Sequence, residues 1–165
     1  MRRSARIILV AAVLGLGATS FARADTLAAG RAAYARGDYV GAARLLVPLA
    51  EHGNAGAQAL VGFMYANGRG VPQGYDAATY WYRLAAEQGD TTAQYLLGLM
   101  YDKGFGVPLS EIDAHMWLNL AAAHAPQRNR EYYLRLRDAV ASKMTSGQIA
   151  EAQWRAQEWA ARPPF

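Results

Sequence analysis

The stretch that decides the fold runs Ala57-Gln58-Ala59-Leu60-Val61-Gly62-Phe63-Met64-Tyr65-Ala66-Asn67-Gly68-Arg69-Gly70-Val71-Pro72. It returns 36 residues later as Ala93-Gln94-Tyr95-Leu96-Leu97-Gly98-Leu99-Met100-Tyr101-Asp102-Lys103-Gly104-Phe105-Gly106-Val107-Pro108. Of the 30 positions 57–86, 15 are identical to their partners in 93–122. A fixed period of this length marks a solenoid, whose units bury their faces against one another. It also moves the expected function from catalysis toward binding.

Two apolar stripes at helical spacing lie within each unit. Ala57, Leu60, Val61, Met64 and Tyr65 stand at i, i+3, i+4, i+7 and i+8, and Ala78, Trp81, Tyr82, Ala85 and Ala86 repeat that spacing. Each stripe turns one helix face into a core. Between them, Gly68 supplies a left-handed residue to close the first helix, and Pro72 blocks its continuation. Asn54, Asp90 and Ser110 are the expected N-caps of the helices that follow them. Gly62 and Gly98 sit inside helices, where Gly costs about 1 kcal/mol relative to Ala. A cost repeated at the same position of both copies implies that a side chain there would push a neighbouring helix away.

Followed outward, the period predicts helix pairs at about 26–36 and 39–52, 55–67 and 74–88, 91–103 and 110–123. A degenerate fourth pair follows at about 128–142 and 146–161, beginning after Ala125-Pro126-Gln127. Thr145 and Gln148 form a capping box for the last helix. The fourth pair lacks the glycine loop, as expected of a terminal unit whose outer face meets water.

The first 24 residues are expected to lie outside this fold. Arg2, Arg3 and Arg6 precede a short apolar run from Ile7 to Leu16, and Ala22-Arg23-Ala24 offers small residues for cleavage. This is the pattern of a secretory signal peptide, too short to span a membrane. The Arg2-Arg3 pair lacks the residues that usually surround a twin-arginine signal, so ordinary export to the periplasm is expected. The full chain carries 17 Lys+Arg against 13 Asp+Glu, but four of those Arg lie in residues 1–24. The remainder is therefore neutral, and its charge gives no argument for nucleic acid or an anionic membrane as partner. With no cysteine, an exported domain must be held by packing alone.

The repeated residues resemble the Sel-one-like repeat (SLR) family, relatives of the tetratricopeptide repeats. That family's pattern is roughly A-x-x-x-LG-x-MY-x-x-G-x-GV followed by A-x-x-WY-x-x-AA-x-x-G. It is matched here by Ala57, Val61-Gly62, Met64-Tyr65, Gly68, Gly70-Val71, Ala78, Trp81-Tyr82, Ala85-Ala86 and Gly89, and again through Ala93 to Ala121-Ala122. The second copy departs mildly, with Leu118 for Tyr and Ala125 for Gly. Gly37-Asp38-Tyr39 and Ala42-Ala43 make the first unit closer to a tetratricopeptide repeat. The resemblance implies an all-α, right-handed α-solenoid (an α-α superhelix) of about four antiparallel helix pairs in one domain, 25–165. It implies an adaptor or regulator that binds a protein or peptide of the cell envelope in its concave groove, as family members mostly do. A disulfide-rich branch binds penicillins, but this chain has none of its cysteines. A cell-wall or β-lactam hydrolase, by analogy with that branch, is the alternative, and a structural envelope component is a third.

The residues offer no catalytic constellation, cofactor site or metal site. His52, Gln88 and His124 are equivalent at steps of 36 and end successive second helices, where His suits the helix dipole. His115 has no His or Cys at ligand spacing. Gly68-Arg69-Gly70 follows a helix rather than a strand and leads to no Gly-Lys-Ser/Thr, so it is no phosphate loop. Glu51 and Glu87, and Arg128, Arg130, Arg135 and Arg137, are expected to be solvated faces. The candidate groove is Gln58, Phe63, Ala66, Gln94, Tyr95, Leu99 and Asp102, off the core stripe of the first helices. Trp154 falls about 140° from Ile149 around the last helix, whose buried stripe is expected at Ile149, Ala152, Ala156 and Ala160. Trp154 is thus a candidate exposed anchor.

Overall fold

The computed structural model describes residues 24–161. All but the last residue of the expected signal segment lies outside the described residues. Eight helices and no strand occur among them: α1 (24–35), α2 (Tyr39–Glu51), α3 (Ala55–Asn67), α4 (Tyr75–Glu87), α5 (Thr91–Lys103), α6 (Glu111–His124), α7 (Gln127–Ala141) and α8 (Ser146–Ala160). Each boundary lies within two residues of the expectation, and the starts of α3, α5, α6 and α8 carry the expected caps. Asn54 accepts a hydrogen bond from the Ala57 amide, Asp90 from Ala93, Ser110 from Asp113 and Thr145 from Gln148. Gly68 closes α3 at φ 64°.

Successive helices pack as antiparallel pairs, α3 on α4 and α5 on α6, and the pairs stack through α2 on α3, α4 on α5 and α6 on α7. Within a pair the helices approach closely at the in-helix glycines. A Cβ on Gly62 would lie 2.7 Å from the Tyr82 ring and 3.1 Å from the Ala78 carbonyl oxygen. One on Gly98 would lie 2.8 Å from Leu118. Overpacking of that kind costs about 1–3 kcal/mol, which outweighs the helix propensity that Ala would add.

The stacking joint is built from the same residues in both copies. Gln58 Nε2 donates to the Ala50 carbonyl at 3.1 Å, and Gln94 Nε2 to the Ala86 carbonyl at 3.2 Å. Each side chain thus satisfies a carbonyl at the end of the preceding unit's second helix. The glycine loop forms the other half of the joint. Gly70 has φ 74°, and a Cβ on it would strike the Tyr39 carbonyl at the start of α2. Gly106 stands in the same relation to Tyr75 at the start of α4. The residue before each of these glycines covers the same aromatic ring: Arg69 lies 5.3 Å from the Tyr39 centroid, and Phe105 stacks on Tyr75 at 4.6 Å.

The last two helices depart from the expected hairpin. α8 has its main contact with α6 rather than α7, so it doubles back along the stack. Trp159 packs edge-on against Trp117 at 5.7 Å, and Arg155 bridges Asp113 at 3.1 Å and Glu151 at 2.7 Å. Ala152 and Ala156 are buried and Ile149 half-buried, but Ala160 is exposed. Trp159 turns inward in its place, because the helix follows α6 rather than a straight hairpin partner.

Candidate functional site

A cleft of about 430 Å³ opens along the first helices of the first three units. α1 contributes Arg31 and Tyr34, and α3 contributes Gly56, Ala59, Leu60 and Phe63. The start of α5 contributes Asp90, Thr92 and Leu96. The lining is mostly apolar, with a few polar groups at its edges, as in most binding pockets. Tyr34 and Phe63 meet edge-on at 6.2 Å. Arg69 holds this aromatic wall in place: its guanidinium lies 5.3–6.0 Å from the rings of Tyr34, Tyr39 and Phe63 and donates to the Tyr34 hydroxyl at 2.7 Å. Such cation–π contacts strengthen as the cation is withdrawn from water. Arg69 therefore acts as a brace across two units, a role that its place in a glycine loop did not reveal.

Of the seven expected groove residues, only Phe63 lines this cleft. Gln58 and Gln94 are inside the molecule, 3% and 0% exposed, and make the stacking joint. Tyr95 is half-buried beneath α7: it stacks on Tyr133 at 4.7 Å and meets Tyr132 edge-on at 5.9 Å. Burial, then the hydrogen bond with Tyr132, pushes its hydroxyl pKa up, so it stays protonated. Asp102 binds Lys103 at 2.8 Å and Lys143 at 2.7 Å, tying α5 to the turn before α8. Burial opposes its ionisation, but the two lysines hold its carboxyl below the usual range. Ala66 and Leu99 are half-buried. Sequence reasoning missed Arg31 and Tyr34 because α1 has no copy of the repeat to set its register, and it placed Leu60 in the core. Trp154 is 52% exposed on α8.

The histidines at the ends of second helices serve as caps. His52 Nδ1 donates to the Pro48 carbonyl at 2.6 Å and His124 Nδ1 to Leu120 at 3.1 Å. Gln88 makes the equivalent bond to Leu84 at 3.2 Å. His115 is 2% exposed, and burial, then the nearby Arg137, lowers its pKa. In the arginine cluster, Arg137 binds Asp138 and Asn119, Arg135 faces Glu131, and Arg130 reaches the Ala123 carbonyl. Among the described residues, no three His, Cys, Asp or Glu converge as metal ligands, and no helix is long and apolar enough to cross a membrane.

Helix pairs stacked through a repeated joint, with an open cleft along one row of helices, define an α-solenoid. Residues 55–90 and 91–125, less than half of the chain, match the Sel1 repeat. Two solved structures share the architecture. One is a protective antigen present in uropathogenic Escherichia coli strains and displaying an SLR fold, with TM-score 0.79 and 24% identity. The match covers 86% of this chain and 30% of the antigen, and at that identity it bears on the fold alone. The other is a Sel1 repeat protein from Oxalobacter formigenes, with TM-score 0.63 and 29% identity over 79% of this chain and 54% of that one. This chain thus spans about a third of the first and about half of the second. No curated protein matches it in sequence.

Proposed function

We propose that this chain is an exported, non-enzymatic adaptor or regulator of the bacterial envelope that binds a protein or peptide along the face of α1, α3 and α5. The observation that carries the reading is the cleft, where side chains from three units converge on one apolar floor edged by Arg31 and Asp90. A solenoid turns successive units into one such surface. The basic, apolar and small-residue order of residues 1–24 supports export. Trp154, exposed on α8, is proposed as a separate anchor.

Photo-crosslinking side chains placed at Leu60, Phe63 and, as a control, Tyr80 test the reading in cells that export the full chain. Discrete cross-linked partners are expected from positions 60 and 63 in the envelope fraction, with none from position 80. Equal yields from all three positions would rule out the cleft as the binding face. Retention of the chain in the cytoplasm would rule out export. Turnover of a chromogenic β-lactam by the purified chain would overturn the non-enzymatic part.

A further inference from the structure

The cleft carries two opposite charges that do not neutralise each other. Arg31 on α1 and Asp90 at the cap of α5 both line it, and neither makes an ion pair among the described residues. Both are positioned. The Arg31 guanidinium lies over the first turn of α3, its Nη2 2.9 Å from where a Cβ on Gly56 would sit. A side chain at position 56 would displace it. Asp90 Oδ1 is fixed by the Ala93 amide at 2.8 Å, which leaves the carboxylate's second oxygen with accepting capacity. Leu60 and Phe63 of α3 and Leu96 of α5 supply the apolar part of the lining. A volume of about 430 Å³ is near the low end for binding pockets, enough for one or two side chains rather than a whole helix.

Resting on the cleft reading above, we infer the chemistry of the bound segment: an apolar residue seated on Leu60, Phe63 and Leu96, with a carboxylate on the Arg31 side and a cation on the Asp90 side. The apolar residue supplies the affinity, and the charges fix orientation and exclude wrong partners. A segment with one charge sign throughout would face repulsion at one wall. Each exposed ion pair is worth up to about 1 kcal/mol, or about fivefold in Kd.

Fluorescently labelled, end-capped peptides with a central Leu or Phe, and with Glu and Lys on opposite sides at every spacing from two to four residues, would be titrated against the purified chain by anisotropy. The best Glu/Lys peptide is expected to bind about fivefold more tightly than its Glu→Gln or Lys→Gln counterpart. Arg31→Glu makes both walls acidic, and a peptide carrying Lys on both sides should then overtake the Glu/Lys peptide. If the peptide with Gln at both sites binds the native chain as tightly as the Glu/Lys peptide, the charge assignment is overturned. The cleft reading survives that result when Phe63→Ala weakens binding. Failure of every peptide in the set also overturns the inference. The cleft reading falls with it only if positions 60 and 63 yield no cross-links.

Discussion

His124 ends α6 where Gln88 ends α4, and that single difference leaves a buried oxygen unsatisfied. Gln88 Nε2 donates to Gln58 Oε1 at 2.7 Å, completing the lower joint. At the upper joint, Gln94 Oε1 is buried without a hydrogen-bond partner among the described residues, because an imidazole held on the Leu120 carbonyl stands in place of the amide. An unsatisfied buried polar atom costs about 1–3 kcal/mol. His124→Gln should rebuild the bond and stabilise the chain by about 1 kcal/mol, seen as a higher midpoint in urea at unchanged slope. A lower midpoint would show that the joint does not transfer between copies. The buried His115 sets a pH dependence. Its folded pKa is lowered by burial and by Arg137, against an opposing pull from Asp138, so the unfolded chain takes up the proton first. The associated stability is complete above the unfolded value of about 6.5 and is lost as pH falls from there toward the folded value. Thermal midpoints should fall between pH 7 and pH 5, and less steeply in His115→Leu. The joint glutamines also show where the sequence misled. Their polarity suggested a surface, yet both copies carry Gln at this position, as they do at core positions such as Met64 and Met100. That identity was the legible sign of an internal role.

Helix limits were legible because each rests on a local signal. Asn54, Asp90, Ser110 and Thr145 make the expected cap bonds. The direction of α8 was not legible. An apolar stripe states that a helix buries one face but not which neighbour receives it, and the repeat supplies no template beyond α6. The geometry of its start is firmly set: the Thr145 amide donates to Gln148 Oε1 at 2.8 Å, and the Gln148 amide donates to Thr145 Oγ1 at 3.2 Å. Thr145→Ala should cost about 1 kcal/mol. Hydrogen exchange should rise in the first turns of α8 while α3 and α4 stay protected, because units in a stack touch only their neighbours. A uniform rise through the chain would instead show that α8 unfolds only with the whole. The cleft was partly legible: the repeat predicted a face of first helices, but its charged edges come from the uncopied α1 and from a capping residue.

At the scale of the whole molecule, the two stacking joints use the same parts. Gln58 and Gln94 reach back eight residues to a helix-end carbonyl, and Gly70 and Gly106 reach the start of the preceding second helix. A further copy of residues 55–90 placed after Asp90 should therefore meet compatible surfaces on both sides. The lengthened chain is expected to stay monodisperse, keep its helical signal per residue, and gain about 10 Å in longest dimension by small-angle scattering, one helix-to-helix spacing. Aggregation or loss of helix would mean that the copies are not interchangeable. The return of α8 along α6 has a practical counterpart. It lays α8 along a second helix, away from the row of first helices that forms the cleft. A surface tether, dye or fusion attached beyond α8 will thus hold the molecule by its back, with the cleft left facing the solution.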